Sequence, residues 1–456
     1  MTSTLKIALL TAATTLALSA CTMAPRYERG PLPVPDQFAD TPAATGASAE
    51  TLAWKQVILD TRLQSVVDQA LTNNRDLRVA VLNVERARQQ YRIQRADLFP
   101  AVNASIAESR GDSGPPIGKS DVYTANIGAS WEPDLFGRVR SLDNAALQTY
   151  FASKANSDAA RVSLISAVAS AWLNLAADQD QLKLSHDTLT SREQSLGIVQ
   201  KRFDLGTSDE LTLRQNQILT EQARGDVAAL QAGVQQDLNA LRLLVGADVS
   251  PDLLPDALPE DAVLSDLPVG LPSQVLLRRP DVMAAEFTLK AANADIGAAR
   301  AAFFPSISLT GSLGKASGDL DHLFDGADTW SFTPSISIPI FAGGAHLAGL
   351  RAAKAGRDIA LAQYEGAIQS AFRDVSDQLA TRATIDDRLA AQTRTVAAAS
   401  DSMTIAQARF DRGVDSLLTL TDAQRTLYGA QQQLIATRLV RELNLVNLYA
   451  ALGGGQ

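Results

Sequence analysis

The chain writes one stretch twice. Sliding it against itself by 205 positions pairs Asp76 with Asp281, Arg95 with Arg300, Ala96 with Ala301, Phe99 with Phe304, Pro100 with Pro305 and Phe136 with Phe341, without a gap. Between each proline and the later phenylalanine lie two runs of alternating polarity, the period of a strand with two unlike faces. In the first copy Tyr123, Ala125, Ile127, Ala129 and Trp131 alternate with Thr124, Asn126, Gly128 and Ser130. In the second, Ile307, Leu309 and Leu313 alternate with Ser306, Ser308, Thr310 and Ser312; Trp330, Phe332, Ile336, Ile338 and Ile340 then alternate with Ser331, Thr333, Ser335 and Ser337. A fold for this chain must therefore accommodate two hairpins, at about 100–136 and 305–341, in equivalent settings.

Hydroxyls on one face and large apolar residues on the other also describe a soluble sandwich strand wetted on one side. The aromatics favour a membrane instead. Tyr123 and Trp131 share the apolar face at the two ends of one strand, and Trp330 and Phe332 occupy the apolar face of the second copy, as in the girdles of transmembrane barrels. About 10 residues at ~3.3 Å rise, tilted by ~40°, span roughly 25 Å, the height of a barrel's apolar band.

The start of the chain points the same way. Residues 1–20 carry Lys6, an apolar run from Ile7 to Leu18 and small residues before Cys21, the single cysteine. A run this short with a basic start is an export signal and not a span. Leu18-Ser19-Ala20-Cys21 resembles a bacterial lipobox, which implies acylation at Cys21, and Thr22 in place of aspartate is compatible with sorting to the outer membrane. One cysteine forms no intrachain disulfide. Losing Lys6 with the signal takes the formal charge from −9 to −10, a poor balance for binding nucleic acid. Residues 21–50, with Pro25, Pro31, Pro33 and Pro35, read as an extended lipidated tether. No other run approaches the ~20 apolar residues of a spanning helix, so a membrane crossing is made by strands.

Between Gly137 and Leu205 there is no proline, and Val168, Leu175, Leu182, Leu189, Leu196 and Phe203 fall on successive d positions of a heptad. The a positions are mixed and include His186, so one apolar seam with a polar neighbour predicts a long helix packed sideways in a coiled-coil-like wall. At an offset of 207 the seam reads Val375, Arg382, Leu389, Val396, Met403 and Phe410. Arg202-Phe203-Asp204-Leu205-Gly206 answers Arg409-Phe410-Asp411-Arg412-Gly413, with the glycines as left-handed terminators. Returning helices follow, Glu210 to Val245 and Leu417 to Leu452, each about half as long. Helices of about 24 residues before each hairpin, Asn74 to Leu98 and Arg279 to Phe303, make up the difference if stacked on the returns. The repeats are 51–246 and 274–456; the Pro- and Asp-rich stretch 247–273 joins them as an irregular belt.

At Trp131-Glu132-Pro133-Asp134-Leu135-Phe136-Gly137-Arg138, Leu277-Arg278-Arg279-Pro280-Asp281-Val282, Pro339-Ile340-Phe341-Ala342-Gly343-Gly344, Leu420-Thr421-Asp422-Ala423-Gln424-Arg425 and Val446-Asn447-Leu448-Tyr449-Ala450-Ala451-Leu452-Gly453 the chain resembles the outer-membrane efflux factors, the TolC-like channels, and among them the lipoprotein ducts of RND-type tripartite drug pumps. The resemblance covers nearly all of the mature chain. It implies a membrane α+β protein, a homotrimer in which four strands per chain build one 12-stranded barrel continued by a periplasmic α-helical barrel. It also implies a periplasmic adaptor and an inner-membrane pump as partners, with outer-membrane lipid around the barrel. Four strands cannot close a barrel and open edges are not tolerated in lipid, so some oligomer follows from physics alone; the number three comes from the resemblance.

The resemblance assigns adaptor docking to the helix tips, Leu205, Gly206 and Thr207 with Arg412, Gly413 and Val414, where the alternative is that each glycine only caps a helix. It assigns a periplasmic gate to Leu418, Asp422 and Arg425. These lie at i, i+4 and i+7 on one stripe, and their first-copy counterparts are Leu211, Gln215 and Ile218, so the leucine is kept and the charges are not. The alternative for Asp422 and Arg425 is a surface ion pair worth ~0.5 kcal/mol. No catalytic, metal or cofactor site is expected: His186, His322 and His346 are far apart, no HExxH spacing occurs, and the glycine pairs lack the lysine of a phosphate loop. The rival reading is a lipid-anchored periplasmic adaptor or fibre of helical hairpins.

Overall fold

A computed structural model describes residues 22–38, 53–112, 119–259, 263–265 and 272–454. The whole signal, Cys21, residues 39–50 of the tether and part of the belt lie outside the described residues. The helical elements are α1 (Trp54–Val57), α2 (Thr61–Asn73), α3 (Arg75–Ala96), α4 (Arg138–Asp204), α5 (Glu210–Val245), α6 (Pro280–Ala301), α7 (Ala345–Asp411) and α8 (Leu417–Ala451). The strands are β1 (Ala101–Asp112), β2 (Lys119–Trp131), β3 (Ser306–Ser317) and β4 (Ala327–Ser337). The described residues fall into two compact units, one made of those within 22–31, 81–156 and 283–367, the other of those within 32–80, 157–282 and 368–454.

The first unit holds the sheet, antiparallel in the order β1-β2-β3-β4. Its two hairpins are joined through the β2–β3 ladder, where Trp131 faces Leu309 and Ala129 faces Gly311. The alternation continues in the sequence to Ile340, but β4 stops at Ser337. That residue is paired with Ser306, the first of β3, and Pro339 has no N–H to extend the ladder. The pairing also corrects the repeat. Ser130 lies opposite Ala101, and Ser337 opposite Ser306, so β2 corresponds to β4 at an offset of 207 while β1 corresponds to β3 at 205. Gly137 (φ 74°) and Gly344 (φ 85°), which open α4 and α7, are therefore equivalent, and Phe136 and Phe341 are not. The two extra residues fall in the connection between β3 and β4, where insertion costs least.

In the second unit the predicted stacking of short helices is present as end-to-end contacts. Asn74 accepts from the Leu77 amide at the start of α3 and donates to the Leu244 carbonyl at the end of α5 (2.7 Å). A Cβ on Gly246 (φ 73°) would lie 2.6 Å from the Asn73 carbonyl oxygen, so only glycine fits that junction. At the second junction Arg279, nearly buried, donates to the Ala451 carbonyl (2.6 Å) and, bidentate, to Asp281 (2.7 and 3.1 Å), with Asp374 at 3.5 Å. This gives the Arg279-Pro280-Asp281 motif its work: one guanidinium fastens the end of α8, the start of α6 and the flank of α7. The described parts of 247–273 contain no α-helix, with a short 3-10 turn at Pro251–Leu253, and are held by side chains, the Leu258 amide on Asp180 and the Val263 amide on Glu442. Trp172, fully buried in α4, donates to the Leu253 carbonyl (3.0 Å).

The heptad seam of α4 holds only at Val168 and Leu175, which are buried. Beyond them the buried line moves three residues on, to Ser185, Arg192 and Val199; in α7 it moves likewise to Ile385, Ala399 and Ala406. Leu182, Leu189 and Leu196 are half-buried and His186 is exposed, so the histidine is not a seam residue. An α-helix drifts ~20° per heptad, and a fixed seven-residue reading loses the contact face after a few turns. One further expectation changes. α4 contains an 18-residue window of mean hydropathy 1.3, of which 44% is buried within the chain. Several apolar residues of this helix belong to the core: Leu164, Ile165, Val168, Trp172, Leu173 and Leu175 are all buried.

Candidate functional site

The sheet has two chemically distinct faces. On one, Val102, Ala104 and Ile106 of β1 lie beside Ala129, Ile127 and Ala125 of β2, followed by Ile307, Leu309 and Leu313 of β3 and by Trp330, Phe332 and Ile336 of β4. Most of this face is exposed, with Trp330 at 78%, while Ile307 and Leu309 are half-buried. It ends in charge: Glu108, Arg110 and Asp121 form one ion cluster and Lys315 pairs with Asp328 at 2.9 Å. Trp131 closes the other end of β2 and donates through Nε1 to the Leu98 carbonyl (3.1 Å), and Tyr123 donates to the Glu108 carboxylate (2.9 Å). Tyr123 and Trp131 thus share one face at a polar margin each, whereas Phe332 sits opposite Gly311, well inside β4. The opposite face carries Asn103, Ser105, Asn126, Thr310 and Thr333, with Ser312 and Ser331 hydrogen-bonded at 2.8 Å. A surface that is apolar to its limits on one side and hydroxyl-lined on the other suits lipid against one face and water against the other.

The tips belong to the second unit. After α4 the Gly206 amide (φ 72°) donates to the Phe203 carbonyl and the Thr207 amide to the Arg202 carbonyl, the two bonds of a Schellman turn; Gly413 (φ 73°) and Val414 repeat them onto Phe410 and Arg409. Leu205 and Val414 are exposed, and Arg412 is exposed beside them. The tips are not equivalent in charge. Arg409 forms a two-bond pair with Asp415 (2.6 and 2.8 Å), which holds that carboxyl below its usual range. Position 208, the counterpart of Asp415, is serine, and Arg202 lies instead 5.1 Å over the ring of Phe410.

On α8 the stripe of Leu418, Asp422 and Arg425, for which the resemblance implies a gate, starts one turn above that tip. Leu420 and Ala423 are buried with Ala406, and Phe410 and Leu417 pack on them. This leaves Leu418, Asp422 and Arg425 on the outer side, Leu418 at 75% exposure. Arg425 pairs with Asp422 within the helix at 2.6 Å, both side chains mostly in solvent. Sequence reading passed over Arg192, which is nearly buried and donates to Gln424 of α8 at 2.5 Å, on a helix position whose second-copy counterpart is Ala399. Only the lone cation on a buried line could have signalled it. Among the described residues no group of His, Cys, Asp and Glu is placed to hold a metal ion.

A sheet built to face lipid, in a chain whose two longest helices run 67 residues each, is the construction of an outer-membrane channel subunit. The outer membrane efflux protein model matches residues 66–247 and 271–454, once on each copy of the repeat. Over 461 residues the chain is 43% identical to the antibiotic efflux pump outer membrane protein ArpC of Pseudomonas putida and equally to the toluene efflux pump outer membrane protein TtgC of the same species, covering 97% of this chain and 94% of either relative. The open-state outer membrane channel MtrE of Neisseria gonorrhoeae superposes with a TM-score of 0.87 at 41% identity, over 95% of this chain and 98% of that one. The chain belongs to the outer membrane efflux protein family.

Proposed function

We propose that three copies of this chain form the outer-membrane exit duct of a tripartite efflux pump, a passive channel opened at its periplasmic tip when an adaptor and an inner-membrane pump dock. The observation that carries the reading is the sheet itself: apolar and exposed on one face, hydroxyl-lined on the other, with the outer sides of β1 and β4 unpaired among the described residues. In lipid those edges need strand partners. Twelve strands, unlike eight, leave a lumen. The rival reading, an adaptor or fibre of helical hairpins, gives such a sheet no role.

The internal repeat predicts how the copies meet. Within one chain the two halves join at β2–β3; the same joint between chains sets β4 against β1 of the next copy. Applying the two offsets, Ile336 falls opposite Ile106 of the next copy and Ile338 opposite Ala104 of the next copy. This gives Ile338, exposed beyond the end of β4, a place in the sheet. Leu418, Asp422 and Arg425 close the tip, and the two Schellman turns receive the adaptor. Cargo is chosen by the pump: ArpC and TtgC match this chain equally although one name carries antibiotics and the other toluene.

The test is Ile336→Cys with Ile106→Cys, in a chain whose own Cys21 is blocked by its acyl group. Oxidation should give dimers and trimers stable to boiling in detergent, and outer-membrane fractions should conduct in planar bilayers. Oxidised chains that stay monomeric, with no conductance, would end the reading. Mass spectrometry of the mature protein checks acylation separately: a chain that begins at acylated Cys21 is expected, and one that begins before it without acyl groups refutes the anchor.

A further inference from the structure

Within the chain the two halves meet along α4 and α6 as well as along β2 and β3. The ring of Phe136 stacks on that of Phe304 at 5.0 Å between centroids, Phe151 lies 5.4 Å from Phe287, and Ala145 is buried with Ala291 and Ala294. A Cβ on Gly297 would come 2.6 Å from the Ser141 hydroxyl. Along this line the residue numbers rise on α4 as they fall on α6, so the helices run antiparallel, and small residues let them approach closely.

Duplication repeats this joint on the outside of the chain. α4 recurs as α7 at an offset of 207, and α3 as α6 at an offset of 205, each from end to end. The face of α3 that answers Phe287, Ala291, Ala294 and Gly297 is Leu82, Arg86, Gln89 and Arg92; the face of α7 that answers Ala145 and Phe151 is Ala352 and Asp358. These six are all exposed, whereas Ala291, Ala294 and Gly297 are buried. Alanine, glycine and phenyl rings have given way to charges of opposite sign on the two faces. A chain carries its outer faces through water before it meets other copies, and its inner joint never does, so charge keeps the free faces soluble and selects what covers them.

The placement fits Asp358 to Arg86. Leu82 stands where Phe287 does, so in an equivalent joint Asp358 of one copy is level with Leu82 of the next, one turn (~6 Å) from Arg86. Side chains on a helix lean toward its N-terminus, and between antiparallel helices Arg86 and Asp358 therefore lean toward each other. Within the chain Asp358 has only begun to be neutralised: its neighbour Arg357 lies at 2.6 Å, with the Asp358 side chain 61% exposed. A slip of one turn would set Lys354 against Arg86 in its place, a like-charge contact that penalises the wrong register.

We propose that α7 of one copy packs antiparallel on α3 of the next, with Asp358 of the first paired to Arg86 of the second, and that this pair sets the register of the helices between copies. It rests on the assembly of three chains proposed above.

Charge reversal in full-length chains tests it through the ratio of trimer to monomer in detergent. Arg86→Glu and Asp358→Arg should each lower that ratio about tenfold, because a loss of about two- to threefold at one joint is multiplied around a closed ring. The two reversals combined should restore it, and the single losses should shrink as salt is raised. Reversals without effect, or a combined variant no better than either single one, overturn the pair. Should a reversal not fold, Arg86→Gln and Asp358→Asn keep the test: combined, they should cost less than the product of their separate losses, and independent losses overturn the pair. Gln89→Cys with Ala352→Cys reads the packing separately. Oxidised trimers should carry disulfides between chains, as Ala145 and Ala294 cluster within one, and trimers without them overturn the joint. A wild type that forms no trimer overturns assembly and pair together, whereas a trimer that fails the charge exchange loses the pair alone.

Discussion

Leu418→Ala and the double substitution Asp422→Ala with Arg425→Ala should both open the periplasmic end, and the structure ranks them. The charged pair is already made inside one helix, at 2.6 Å with both side chains largely in solvent. Closing the tip between chains therefore gains only the difference between one charge partner and another, ~0.5 kcal/mol per chain or ~1.5 kcal/mol for three. Leu418 has three-quarters of its surface to bury. At 1.5–3 kcal/mol for a whole leucine, with an alanine retaining part of that area, the loss is about 1.4 kcal/mol per chain and about 4 kcal/mol per trimer. These correspond to roughly tenfold and roughly thousandfold shifts in the open-to-closed ratio. Single-channel recording in planar bilayers should show Leu418→Ala mostly open and the double mutant intermediate, with the heat-dissociation temperature of the trimer unchanged in both. A double mutant that opens at least as fully as Leu418→Ala would refute the argument, and unchanged conductance in both would place the gate elsewhere.

Other expectations follow from individual contacts. Gly206→Pro or Gly413→Pro removes an amide that closes a Schellman turn and forbids the positive φ, so each should abolish co-purification with the adaptor while trimers persist; normal co-purification would leave the glycines as caps only. Gly314→Val puts a Cβ into the Asn126 side chain and the Ala125 carbonyl across β2, and should cut trimer yield several-fold by heat-modifiable mobility. Gly311→Ala, which meets only ordinary contacts, should not. Asp237 is raised to about 6 by burial and by Asp178, so the folded chain binds a proton there that the unfolded chain has released; stability is full below pH ~4 and falls as pH rises through 6. Asp237→Asn should therefore stabilise the protein at pH 8, by ~1 kcal/mol after allowance for solvent screening, and not at pH 3, where the carboxyl is protonated in both states. An equal gain in Tm at the two pH values would exclude the carboxylate repulsion.

Local signals were the legible ones. Proline, glycine and the offset of the repeat placed α5 as expected and the ends of α4 and α7 within a residue or two, because caps are written in the residues that form them. Polarity of period two gave both hairpins, but not the end of β4, which depends on where β3 starts. The stripe of Leu418, Asp422 and Arg425 was legible as a face of a helix, while the closing of Asp422 onto Arg425 within that helix was a choice of rotamer. The contacts of residues 23–29 with α6, such as Asn293 on the Pro25 carbonyl, left no periodic trace. Their partners are more than 250 residues away, and each is an ordinary helix residue until the segment lies across it.

The bare outer sides of β1 and β4 also set an order of events. A single chain carries 12- and 11-residue strands with one side open, and water satisfies those groups during transit through the periplasm. Lipid does not, so the strands cannot enter the membrane one chain at a time without leaving several peptide groups stranded in hydrocarbon at several kcal/mol each. Insertion and trimerisation must then be one step, steeply dependent on how many chains are present together. A cell that halves the supply of this protein should lose working ducts by more than half, and the surplus chains should accumulate as periplasmic monomers and not as partial pores.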